Sequence, residues 1–150
     1  MQLQPREMAA KEFERARVFL VGEDTVAALA HLEKALKLDD NPAWYSFFGY
    51  CIAKERGQVR KGIDLCKLSM QSEAENPVHY LNLGKIHLVS GNKPEALRVF
   101  REGIAIGQNE EIMRMLNKIG IRKPPIISFL PRGNPLNRIL GFILDRFGLR

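Results

Sequence analysis

An all-α stack of helix hairpins is the fold this chain of 150 residues predicts, and two observations carry the prediction. The first is an internal repeat at a spacing of about 35 residues, the period of helical arrays. Asn41, Pro42, Tyr45, Phe48 and Gly49 recur in register as Asn76, Pro77, Tyr80, Leu83 and Gly84. The second is the spacing of apolar residues at three and four positions, interrupted by Gly and Pro where a hairpin must turn.

From about Glu7 to Val21, Ala9, Phe13, Ala16 and Leu20 share one helical face, and Gly22 breaks the pattern. Asp24 or Thr25 can then cap a second helix whose inner stripe is Ala28, Leu29, Leu32, Ala35 and Leu36. It stops between Asp39 and Pro42, closing a first hairpin. In the next unit Pro42 occupies a first helical turn, where its missing N–H costs nothing. That helix runs to Arg56, Gly57 turns the chain, and Val59 to Ser72 returns. The third hairpin runs from Pro77 to Ser90, turns at Gly91 and Asn92, and returns from Pro94 to about Ile106.

These residues resemble the tetratricopeptide repeat, whose copies are two antiparallel helices of about 34 residues. The third unit carries the pattern as Tyr80, Leu83, Gly84, Gly91, Ala96, Phe100 and Gly103. The second carries it as Tyr45, Phe48, Gly49, Ile52 and Gly57, with Gly62, Cys66 and Ser69 where the family favours Ala, a large aromatic and Ala. The first retains Ala28, Leu32 and Ala35 in its second helix. Small residues let backbones cross near contact while large ones fill the gaps between hairpins, so a stack of about three units over roughly residues 8 to 107 is expected.

Past Ile106 the period is not completed. Gln108 or Asn109 can cap a single helix from Glu110 to Ile119, ended by Gly120, with Ile112, Met115, Leu116 and Ile119 on one face to cover the last hairpin. Pro124, Pro125 and Pro131 then exclude helix from most of a strap at 121–134. Asn134 and Pro135 restart a helix over 135–150, with Leu136, Ile139, Leu140, Ile143, Leu144 and Phe147 on one continuous apolar face. The expected organisation is a repeat domain with its covering helix at 1–120, the strap, and an amphipathic C-terminal helix.

Charge separates along the same boundary. Residues 1–117 carry 16 Lys and Arg against 16 Asp and Glu, whereas Lys118, Arg122, Lys123, Arg132, Arg138, Arg146 and Arg150 face only Asp145. The net charge of +6 therefore lies entirely in residues 118–150. No apolar run approaches the roughly 20 residues of a membrane-spanning helix, and the polar N-terminus is unlike a secretory signal, so a cytoplasmic protein is expected. Cys51 and Cys66 show neither metal-site nor disulfide spacing and are expected as reduced core thiols.

Catalytic chemistry finds no support in these patterns. His31, His79 and His87 belong to no nucleophile or metalloprotease motif, and His79 and His87 stand more than two helical turns apart, too far to share a metal. Residues 57–62 are basic and glycine-flanked but lack phosphate-loop spacing. No enzyme activity, cofactor or metal is expected. Nucleic acid is disfavoured as a partner by the neutral body and by a groove whose one aromatic on this alignment is Tyr50.

The resemblance instead implies a protein or peptide partner, held on the concave face lined by the first helix of each hairpin. That places Ser46, Tyr50 and Lys54 of the second unit, and Leu81, Asn82, Lys85 and Leu88 of the third, on the binding surface. Asn82 with Lys85 partly matches the Lys and Asn by which some family members hold a terminal carboxylate, while the remaining positions of that clamp are not basic here. The alternative for Asn82 is a common repeat residue, and for Lys54 and Lys85 solvated side chains. Six apolar side chains on the last helix are too much surface to leave in water. Folding back onto the stack is the first expectation, because intramolecular docking faces a much higher effective concentration; self-association into a homodimer and lying on a membrane surface are the alternatives.

Overall fold

The computed structural model describes residues 4–120 and 135–146. Among the described residues there are α-helices and one 3-10 turn, with no strand. The helices are α1 (Pro5–Val21), α2 (Thr25–Leu38), α3 (Tyr45–Arg56), α4 (Val59–Ser72), α5 (Pro77–Val89), α6 (Lys93–Ile106), α7 (Glu110–Gly120) and α8 (Pro135–Arg146). The chain divides into two compact units, Met1–Gly120 and Ile121–Arg150.

Within the first unit, α1 packs on α2, α3 on α4 and α5 on α6 as three hairpins. Each hairpin leans on the next through α2 with α3, α3 with α5 and α4 with α5, and α7 closes against α6. The caps explain the boundaries. Asp24, Asn41, Asn76, Asn92 and Asn109 each accept a hydrogen bond from a backbone N–H two or three residues on, neutralising donors that a helix start leaves orphaned. Gly57 and Gly91 take positive φ of 66° and 78° at the two later hairpin turns, a conformation that costs Gly little. One boundary differs from the sequence expectation. After Pro42 the first turn is 3-10 through Trp44, because Asn41 caps Ala43 only two residues on and Tyr45 N–H closes back to the Pro42 carbonyl.

The packing device is visible between α3 and α4. A Cβ on Gly49 would lie 2.6 Å from the Gly62 carbonyl oxygen, and one on Gly62 would lie 2.6 Å from that of Gly49. The departure at Gly62 thus brings two backbones into contact. On the same two helices Cys51, Ile52 and Cys66 are fully buried in the core between hairpins. In the third hairpin Gly84 leaves room instead for the buried ring of Phe100. At the end of the stack Ile112 of α7 is fully buried with Leu81, Ala96 and Phe100, so α7 covers the last hairpin.

In the second unit α8 spans Pro135–Arg146, with Leu136, Ile139, Phe142 and Ile143 exposed and Leu140 and Leu144 half-buried. The strap at 121–134 and Phe147 lie outside the described residues. Among the described residues no helix is long and apolar enough to cross a membrane.

Candidate binding groove

The inner helices α1, α3, α5 and α7 line one cavity of about 430 Å³. Helical spacing sets its rows. Phe13, Arg17 and Leu20 project from α1; Ala43, Phe47 and Tyr50 come from the second hairpin; Val78, Asn82 and Lys85 come from α5. Each set is spaced i, i+4, i+7, the repeat that keeps side chains on one helical face. Val21, Trp44, Glu73, Asn76, Leu81 and Glu111 complete the wall.

The α1 and α3 side is aromatic. Phe13 stacks on Trp44 with centroids 4.8 Å apart and meets Phe47 edge-on at 5.1 Å. Such pairs lock ring positions and leave a pre-formed apolar floor. The α5 and α7 side is polar and charged. Lys85 Nζ lies 5.4 Å from the centre of the Tyr50 ring and 2.5 Å from Glu111 Oε1, which ties the third hairpin to the covering helix across the groove. Burial pushes the Tyr50 phenol up to about 12, so its hydroxyl stays a neutral donor.

Beneath the polar side lies a buried hydrogen-bond chain. Ser46 N–H donates to Ser69 Oγ at 2.8 Å, and Ser69 Oγ–H donates to the Pro42 carbonyl at 2.7 Å. Glu73 accepts from Asn76 Nδ2 and from His79 Nε2, both at 2.9 Å. A carboxylate only accepts, so the His79 proton is on Nε2 and Nδ1 takes the Ser46 hydroxyl proton at 2.7 Å. Asn82 Nδ2 donates to the same Ser46 oxygen at 3.0 Å. Burial holds His79 below the ordinary imidazole range against the opposing pull of Glu73, and the Asn76 and His79 hydrogen bonds hold Glu73 below the usual carboxylate range. Serine, histidine and carboxylate in sequence are the parts of a nucleophilic triad, but Ser46 is fully buried and its oxygen already engaged, so no substrate reaches it. The chain joins α3, α4 and α5 and fixes Asn82 at the groove wall.

Of the residues expected on the binding surface, the structure brings Tyr50, Leu81, Asn82 and Lys85 together around the cavity, Tyr50 and Lys85 half-buried and Leu81 and Asn82 buried within its wall. Ser46 is withdrawn from it, buried in the hydrogen-bond chain. Lys54 is exposed but outside the cavity wall, and Leu88 packs with Ala96, Phe100 and Ile112. The expectation of a groove whose one aromatic is Tyr50 is corrected: Phe13, Trp44 and Phe47 also line it. Phe47 was within reach of the repeat, being the equivalent of Asn82 at the 35-residue offset. Phe13 and Arg17 lie in the unit whose first helix lacks the repeat's markers. No cluster of His, Cys, Asp and Glu able to hold a metal occurs among the described residues.

No known family's sequence profile matches the chain, and no curated protein does. Solved structures do. The TPR domain of Arabidopsis OM64 superposes with a TM-score of 0.58 at 19% identity, covering 77% of this chain and 96% of that domain. The fold is that of tetratricopeptide-repeat domains. The Sgt2 TPR domain from Aspergillus fumigatus gives a TM-score of 0.56 at 15% identity, covering 87% of this chain and 93% of its own length. At such identities the likeness lies in how tetratricopeptide hairpins stack, and groove chemistry is each chain's own. Here that chemistry is three aromatic rings and Tyr50 facing an amide and a Lys–Glu bridge.

Proposed function

We propose that the chain is a non-catalytic scaffold that holds an amphipathic helix or extended peptide of a partner protein in this groove. The observation that carries the reading is the pre-formed aromatic floor of Phe13, Trp44 and Phe47 beside the Tyr50–Lys85 pair, in a cavity walled by all three hairpins. Apolar anchors enter the aromatic side, and the buried Asn82 holds the wall beneath the ligand through its bond to Ser46. Lys85 and Arg17 meet its carboxylates, an exchange for Glu111 that favours an acidic flank. Free, buried thiols at Cys51 and Cys66 suit a cytoplasmic setting.

Selection of a displayed random-peptide library against the full chain, followed by calorimetric titration of the enriched peptides, tests this. Peptides with aromatic or aliphatic anchors and an acidic flank should emerge, losing at least about tenfold in affinity to Phe47→Ala and Lys85→Ala, as interface anchors do. Lys54→Ala should leave affinity within about twofold. Peptides indifferent to both groove substitutions would defeat the reading.

A further inference from the structure

Helix α8 carries more apolar surface than one packed face can cover. Its stripe runs through Ile139, Leu140, Ile143 and Leu144, and Phe142 stands outside it, roughly 60° round the axis from Ile139 at 3.6 residues per turn. Both are exposed, Ile139 by 56% and Phe142 by 67%. Arg146 projects between those two directions, inside the widened apolar arc. In sequence the charge from residue 118 onward is one-sided, seven cations against Asp145, and α8 itself carries Arg138 and Arg146.

Those features discriminate among occupants. A second copy is disfavoured by length and charge. Twelve residues make a helix of roughly 18 Å, far short of the three to four heptads of a lasting coil, and pairing through the widened arc puts Arg146 in the seam. A protein groove would cover the stripe and leave Phe142 in water. A lipid interface accepts the whole arc, because a helix lying in its plane sinks about 5–10 Å and its arginines reach up to the headgroups. The excess of cations then selects anionic lipid.

We propose that α8 is an interfacial anchor that places the scaffold on membranes rich in anionic lipid. The inference stands apart from the groove, and either can fail alone.

Flotation of the full-length chain with vesicles of phosphatidylcholine, or of phosphatidylcholine and phosphatidylglycerol at about 7:3, tests it at low and high salt. Binding should appear on the anionic vesicles, weaken as salt screens the headgroups, and fall about fivefold for each of Arg138→Gln and Arg146→Gln. Phe142→Ser should lower it too, with the stripe untouched. Hydrogen exchange over 135–146 should be fast without vesicles and slow with them. The proposal is overturned by absence of flotation, by equal flotation on neutral lipid, by slow exchange in the lipid-free monomer, which would mean the chain covers the helix itself, or by a dimer mass in light scattering that Phe142→Ser abolishes.

Discussion

Replacing Gly49 by Ala tests whether the second hairpin depends on backbone contact. The new Cβ would lie 2.6 Å from the Gly62 carbonyl oxygen and 3.2 Å from its Cα, where ordinary contact begins at 3.4 Å. Neither obstacle is a side chain that can rotate away, so α3 and α4 must part by about 0.8 Å locally. Gaps of 0.5–1 Å forfeit roughly a quarter to a half of the dispersion between facing atoms, here among buried Cys51, Ile52 and Cys66. Overpacking of this kind costs about 1–3 kcal/mol or more, and contact between backbones belongs at the upper end. Ala regains about 1 kcal/mol over Gly in a helix interior. The net expectation is a loss of about 2 kcal/mol, which for a unit of this size lowers Tm by roughly 6–10 °C. Urea and thermal unfolding followed by circular dichroism measure it. Gly62→Ala should match, since the contact is mutual, whereas Gly22→Ala should be neutral or slightly stabilising. Its φ is −82° and the nearest atom to its Cβ lies at 3.6 Å. A Gly49→Ala protein as stable as the parent would refute the close-packing argument.

Ser46→Ala removes the oxygen that links His79 and Asn82, and stranding buried partners should cost about 1–3 kcal/mol in urea unfolding; an unchanged midpoint would show that the chain is not structural. His79 titrates near 6.5 when unfolded and lower when folded, so below pH 6.5 the unfolded chain holds the extra proton. Stability should therefore be full above pH 6.5 and fall towards pH 5, with a slope of at most about 1.4 kcal/mol per pH unit from this group. His79→Gln should flatten that slope, and His87→Gln, whose imidazole burial also lowers, should remove a further share; a slope indifferent to His79→Gln would contradict the burial argument. Burial pushes Cys51 up to about 12 and Cys66 higher still, so neither should react with a thiol reagent at pH 8 until the chain unfolds. Labelling of either within minutes under native conditions would show that the core opens.

The hairpins were legible because their determinants are local. Asn-Pro starts, Gly turns and apolar spacing act within a few residues of where they stand, and the 35-residue offset ties the second unit to the third. Groove membership was legible only where that offset was followed through: Tyr50 and Lys85 are equivalent positions and both line it. Ser46 and Leu81 are equivalent too and both are buried, one in a hydrogen-bond chain and the other packed on Phe100 and Ile112 at the edge of the wall. The difference is size and polarity. The short hydroxyl finds His79 and Asn82 beside it, and the Ser46 backbone N–H finds Ser69, three partners from two other helices that no local pattern brings together.

By itself, then, the sequence determined where helices begin and end, which residues are small enough for backbones to meet, and where the positive charge collects, because propensity, capping and composition are properties of short segments. Only the tertiary structure decided that Phe13, Trp44 and Phe47 form one aromatic floor, that Lys85 bridges to Glu111, and that Ser46 is shared by His79 and Asn82 of the next hairpin. Those contacts join residues far apart in the chain, and their geometry depends on the angle at which one hairpin settles on the next.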